Sequence, residues 1–195
     1  MNHWPEDDLY VRWTQVGVFT SHLRYHGASP REPYEYPAVA DTVRSWLKLR
    51  YALIPYIVDQ SEQAVRTGLP LFRSMLFHHA DDPLCWALDD QYYFGDSFLV
   101  APILNAEGVR DVYLPEGEWV DLWTGEQLQG PVLLHQVKMP LERMPVYAVK
   151  GHEIRIYPFT VQCTDEMKLD QAIPLRFDET YQGLEQFPLA YVFKG

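Results

Sequence analysis

Cysteine is nearly missing from this chain: Cys85 and Cys163 are the only two among 195 residues, far apart and in no CxxC spacing. That excludes a disulfide framework and a zinc signature, and both thiols are expected as buried small hydrophobes in a reducing compartment. Long apolar runs are missing too. No stretch approaches the roughly 20 residues of a membrane span, and the opening MNHWPEDD has neither the basic nor the apolar region of a secretory signal. The expected location is therefore cytoplasmic. Positive charge is scarce: 16 Lys and Arg against 27 Asp and Glu give a formal charge of -11. Nucleic acid and anionic membrane are disfavoured as partners, because neither polyanion gains counterion release from an acidic surface. A neutral ligand fits better. There is also no repeat, no low-complexity tract, no P-loop or dinucleotide glycine pattern and no GxSxG.

Aromatic residues are abundant instead, with six Trp, 13 Tyr and 9 Phe. Aromatic faces stack on sugar rings, but most aromatics fill cores, so composition alone points to packing. The order of elements is more informative. Pro5 to Gly17 predicts a short helix, with Glu6, Asp7 and Asp8 at its positive end and Leu9, Trp13 and Val16 on one face. VGVFTSHLRY then reads as a buried strand running to His26 and Gly27, followed by a loop with Pro30, Pro33 and Pro37. A long helix follows from the cap candidate Asp41 to Gly68, kinked at Pro55. Helix, strand, helix is the rhythm of an α/β unit. Beyond Gly68 the pattern changes to short strands and tight turns, in QYYFGDSFLVAPIL, VRDVYLPEGEWVDLWTG with a turn at Pro115 to Gly117, and RMPVYAVKGHEIRIYPF. This predicts a β-sandwich.

Few residues suggest chemistry. His26, after a strand and before a glycine, would stand at the mouth of an α/β domain, where such folds bind ligands. A histidine held by a backbone carbonyl would look the same. His78 and His79 with Asp81 and Asp82 include metal-ligand types, yet adjacent strand residues face opposite ways, so no shared ion is expected. Asp81, Asp82, Asp89 and Asp90 read better as turn caps. Glycoside hydrolysis needs two carboxylates flanking one bond. Near His26 only Glu32 and Glu35 form such a pair, on a proline-bracketed loop where surface roles are the simpler reading.

Several blocks together resemble a known family. LYVRWTQVGVFTSHLRYHG with REPYEY, then LKLRYALIPY, TGLPLFRSM, DDQYYFGDSFLVAPI, VYLPEGEWVDLWTGE and PLERMPVY are similar to the C-terminal half of glycoside hydrolase family 31. Its members include α-glucosidases and α-xylosidases. The resemblance runs from Leu9 to about Tyr157, and FGDSFLVAP and YLPEGEWVDLWTG are its most specific blocks. It implies a fold that is α/β plus all-β, with residues 1–71 as the last helix, strand and helix of a (β/α)8 barrel and 72–157 as a β-sandwich; 158–195, beyond the resemblance, read as the start of a second, truncated β domain. It also implies a retaining mechanism with one aspartate as nucleophile and another as acid and base. His26, in the element that matches as Arg24 and His26, is expected to contact hydroxyls of the terminal sugar, with Arg24 supporting it from behind.

The same resemblance places both catalytic aspartates upstream of this segment. A barrel takes about 250 residues and about 70 here would belong to one, so the chain is expected to be a C-terminal piece without hydrolytic activity of its own. A small oligosaccharide or glycoside is the expected ligand, with no cofactor and no metal, and a second polypeptide carrying the earlier barrel is one way to complete it. RYHG leans towards the α-xylosidase side, although glucose and xylose stay open. The competing expectation is a non-catalytic β-sandwich module, formed by residues 72–157, that binds carbohydrate or supports assembly.

Overall fold

Asp7 and Asp8 occupy the first turn of helix α1 (Asp7–Val18), where carboxylates favour the amide dipole. The computed structural model describes residues 4–27, 30–185 and 189–192. The buried side of α1 is formed by Tyr10, Val11, Thr14, Gln15 and Val18. The face shared by Leu9, Trp13 and Val16 is not the covered one: Leu9 is 48% and Trp13 69% exposed. The helix therefore has apolar residues on two sides, and only one of them is covered.

The strand expected over VGVFTSHLRY is not formed. Its first residues continue α1, and the carbonyls freed at the helix end are collected by Arg50, whose guanidinium donates to Val18 O, Thr20 O and Ser21 O at 2.8, 2.5 and 2.9 Å. Residues 22–27 lie in no regular element. A strand exists only through ladder bonds to a neighbour. The backbone of 23–27 makes no backbone hydrogen bond to any other described residue.

The long kinked helix becomes two, α2 (Ala40–Ala52) and α3 (Ile54–Thr67), broken at Leu53. Asp41 is not the cap; Val39 holds that position and Asp41 sits one residue inside the first turn, paired with Arg44. Pro55 lies in the first turn of α3, where its missing N–H costs nothing. The break also frees the carbonyl of Ala52, which accepts from Tyr157 N at 2.8 Å and so ties the helices to the far end of the chain. Gly68, with φ 77°, ends α3 in the left-handed conformation that glycine favours.

Among the described residues eight strands follow: β1 (Phe72–Ser74), β2 (Tyr92–Phe94), β3 (Phe98–Val100), β4 (Val109–Asp121), β5 (Gln127–Lys138), β6 (Val146–Val149), β7 (Glu153–Ile156) and β8 (Ile173–Arg176). Six form one antiparallel sheet in the order β1-β2-β3-β6-β4-β5, and β7 pairs with β8. The turn expected at Pro115 to Gly117 is instead a bulge inside β4, where the register against β5 shifts between Leu114 and Gly117. Proline cannot donate to a ladder, and a bulge is where a strand tolerates it. Trp119 Nε1 donates to the carbonyl of Pro115 at 2.9 Å. The real β4–β5 turn lies farther on, built by Asp121 Oδ1, which accepts from Trp123 N at 2.8 Å and Thr124 N at 2.9 Å.

Alternation along the strands sends side chains to two faces. Tyr93, Leu99, Trp119 and Tyr147 pack on one face with Val112 and Leu114 from the first half of β4, an arrangement consistent with a sandwich. Phe94, Phe98, Val120, Val146 and Ala148 pack on the other, against Val18, Phe19, Trp46, Leu49 and Tyr56 of the helical part and Ile154, Phe177 and Leu184 of the last segment. One core therefore runs through all three parts. Of the two thiols, Cys85 is buried as expected, whereas Cys163 is exposed, because it stands on the loop before the one-turn helix Thr164–Glu166, outside that core.

Because the core is shared, the helices and the sheet should unfold together. Phe98→Ala is expected to lower stability by about 3 to 5 kcal/mol, the usual cost of emptying a buried phenylalanine site, and to shift helical circular dichroism and tryptophan fluorescence by the same amount along a denaturant axis. Separated transitions for the two probes would contradict a common core.

Candidate functional site

An aromatic stack pins the loop that carries His26. Tyr10 lies between Tyr36, with centroids 3.7 Å apart, and Tyr25, at 5.3 Å, both nearly parallel to it. Tyr10 Oη donates to the carbonyl of Arg31 at 2.5 Å, and the hydroxyls of Thr14 and Tyr25 share a hydrogen bond of 2.9 Å. Burial pushes both phenols above their usual range, the Thr14 bond partly opposing this at Tyr25. They stay neutral hydroxyls. Exposure alternates through the segment: Arg24 and His26 are exposed, and Tyr25 between them is partly buried against the core of α1 and α2.

Arg24 and His26 thus emerge on the same side, and Arg24 Nη2 stands 3.3 Å from His26 Nδ1. A guanidinium only donates, so Nδ1 is the acceptor in this contact. The two side chains line a cavity of about 570 Å³ together with Trp13, His22, Leu23 and Arg31. Its wall holds donors, an indole and aliphatic surface, which suits a polyhydroxylated ring. Among the described residues lining it there is no carboxylate. Glu32 and Glu35 lie on the same loop but are exposed and outside this cavity, and Glu32 Oε2 accepts from Arg31 N at 2.9 Å.

The other candidates have local partners. His78 Nε2 lies 3.2 Å from Nη1 of Arg73, a fully buried side chain that also pairs with Asp96. His79 Nε2 bonds Tyr93 Oη at 2.7 Å. Asp82 caps the one-turn helix Pro83–Trp86 through Leu84 N and accepts from Tyr113 Oη at 2.6 Å, while Asp90 pairs with Arg110 at 2.9 Å. Asp81 and Asp89 are exposed. No group of three or more His, Cys, Asp or Glu among the described residues is placed to hold a metal ion. The tyrosine stack escaped the sequence reading, since an aromatic residue carries no mark of whether it packs or positions. Its only signal was three tyrosines bracketing the loop.

Comparison with known proteins fits this geometry. The family model for the glycosyl hydrolases family 31 TIM-barrel domain matches residues 2–60, and that for the family 31 C-terminal domain matches residues 68–154. The chain belongs to glycosyl hydrolase family 31. The first 60 residues of this family 31 chain therefore correspond to an end piece of a barrel, and its antiparallel sheet to the domain that follows. Alpha-glucosidase 2 of Bacillus thermoamyloliquefaciens is 33% identical over 79% of this chain and 20% of its own length. An alpha-xylosidase of Saccharolobus solfataricus is 33% identical over 74% of this chain and 20% of its own. Among solved structures, a Flavobacterium johnsoniae family 31 dextranase complexed with isomaltotriose superposes with a TM-score of 0.73 at 34% identity, covering 86% of this chain and 20% of that one. The chain spans about a fifth of the length of these relatives.

Three imidazoles away from the cavity make stability depend on pH. Burial is the main cause that holds His78, His79 and His152 below the usual histidine range, and Arg73 adds to the effect at His78. The unfolded chain then takes up protons more readily than the folded one. Stability is fully present above the ordinary histidine pKa of about 6.5 and falls as pH drops below it. The denaturant midpoint should decline on going from neutral to mildly acidic pH, and His78→Gln should make that decline shallower. A midpoint flat across this window would contradict the assignment.

Proposed function

We propose that this chain is part of a retaining α-glycosidase acting on terminal α-linked glucose or xylose, in which it supplies one wall of the sugar pocket through His26 and the scaffold behind it. The two carboxylates come from barrel segments outside these residues, and the chain alone does not hydrolyse glycosides. The observation that carries this reading is a cavity bearing Arg24, His26 and Trp13 with no carboxylate on its described wall. Retention requires two carboxyl groups about 5 to 5.5 Å apart across the bond. Among the similar proteins, a Trueperella pyogenes cycloalternan-degrading enzyme, 32% identical over 78% of this chain, is described in complex with a covalent intermediate, in keeping with a retaining mechanism. The unpaired backbone of 23–27 suits the neighbouring strand of a barrel, provided by a second polypeptide or by sequence continuous with this one. Residues beyond 157, with β8, are read as the start of a second β domain.

A free-standing carbohydrate-binding module of residues 72–157 is the weaker reading. Without the helices, the sheet face bearing Phe94, Phe98 and Val120 would be bare, an apolar patch that soluble domains avoid.

The test has two arms. The chain alone should show no turnover of aryl α-glucoside or aryl α-xyloside; turnover lost on replacing Glu32 or Glu35 would overturn the proposal. A chimera of the Bacillus alpha-glucosidase carrying this chain in place of its matched segment should be active, and His26→Ala in it should weaken transition-state binding by about 1 to 3 kcal/mol, the cost of an unpaired polar group. Unchanged kcat/KM would show that His26 does not touch the sugar.

A further inference from the structure

We infer that Tyr25 is the positioning residue of the cavity wall: held by the Tyr10 ring and the Thr14 hydroxyl, it aims Arg24 and His26 together into the cavity. The functional weight of this rests on the sugar-contacting reading of His26; the positioning itself does not.

The segment around His26 has little else to order it. Backbone groups of 23–27 make no backbone hydrogen bond to described residues, and His26 and Gly27 are both exposed. A segment of that kind, without ladder partners, sits at the low-stability end of a fold. Leu23, half-buried against the main core beside Gly17, and Tyr25 are the exceptions, and Tyr25 is the one between Arg24 and His26. Its ring stacks on Tyr10 at 5.3 Å and 20°, Tyr10 is itself buried against Tyr36, and the Tyr25 hydroxyl bonds Thr14 Oγ1 at 2.9 Å.

Both anchors stand on α1, one turn apart. Thr14 Oγ1 lies 3.0 Å from Tyr10 O, so the hydroxyl is tied to the same helical turn that supplies the ring. Side chains at successive positions of an extended chain point to opposite sides. With Tyr25 packed on α1, Arg24 and His26 on either side of it stay exposed and meet at 3.3 Å on a cavity wall that includes all three residues. Helix α1 thus supplies Trp13, Tyr10 and Thr14 to one cavity wall and holds the donor pair through the last two, so both sets of groups share one support.

The experiment is ¹⁵N relaxation on the full chain, reading the amides of 24–27 and the His26 ring. In the wild type the His26 amide should behave as rigid backbone, with an order parameter near 0.85, and Tyr25→Ala should bring it below about 0.6. Tyr25→Phe and Thr14→Val should give the same intermediate value, because each deletes the same hydrogen bond while keeping the ring stack. Thr14→Ser should restore the wild-type value, which a role in overall stability alone would not predict. Should Tyr25→Ala unfold the chain, seen as collapsed dispersion of the Trp46 and Trp123 signals, the Phe, Val and Ser variants decide the matter. The inference is overturned if His26 is equally mobile in all variants, or if Thr14→Val and Tyr25→Phe differ in sign. A rigid His26 that depends on Tyr25, alongside a His26→Ala chimera with unchanged kinetics, would remove the sugar reading and leave the positioning intact.

Discussion

Edge-to-face contact between aromatic rings at the seam of helices and sheet is the constraint on which everything else rests. Phe98 of β3 meets Phe19 at the end of α1, Tyr56 of α3 and Phe177 after β8, with centroids 6.0, 5.3 and 5.5 Å apart. Trp46 of α2 meets Phe19 and Trp123 in the same manner. Such pairs add about 0.5 to 1.5 kcal/mol each beyond the area they bury. Their greater effect is geometric, because tilted rings interlock in one arrangement and fix the helices against the sheet.

Polar groups around this seam are satisfied by the same elements. Tyr56 Oη donates to Phe94 O at 2.8 Å and accepts from Ser97 N at 3.1 Å, so an α3 side chain closes the β2–β3 turn. A Cβ on Gly95, whose φ is 62°, would run into that hydroxyl, so glycine is required there by both space and backbone conformation. Arg50 does the equivalent work at the end of α1, and Gln15 Nε2 reaches Leu141 O at 2.6 Å. Unsatisfied backbone groups at a buried helix end are costly. Meeting them with side chains from neighbouring elements makes the end of α1, and the residues that leave it, a defined place in space.

The candidate site inherits that definition. What leaves α1 is the segment with Arg24 and His26, and its donors face a cavity whose described wall is free of carboxylates. On the proposed reading this surface holds a sugar, and the groups that give and accept protons or form a bond to the anomeric carbon come from outside the described residues. Membership of family 31 and coverage of about a fifth of the relatives' length accord with that division of labour.

Sequence patterning by itself determined the family, the change from helices to strands after Gly68 and the stop at that glycine, and it singled out His26, whose sugar contact is proposed. Those depend on local chemistry: φ preferences, alternation and motif blocks. The tertiary structure decided the rest. VGVFTSHLRY has the composition of a strand, yet strand formation depends on partners, and none is present among the described residues. Pro115 to Gly117 looks like a turn, but β5 pairs on both sides of it and makes it a bulge. Leu9, Trp13 and Val16 have helical spacing, and so do Tyr10, Thr14 and Val18; periodicity says that a face exists, and only the position of α2 and the 140–144 loop says which face is covered. The same holds for Tyr25, whose role depends on a helix turn 11 residues earlier in the chain being folded against it.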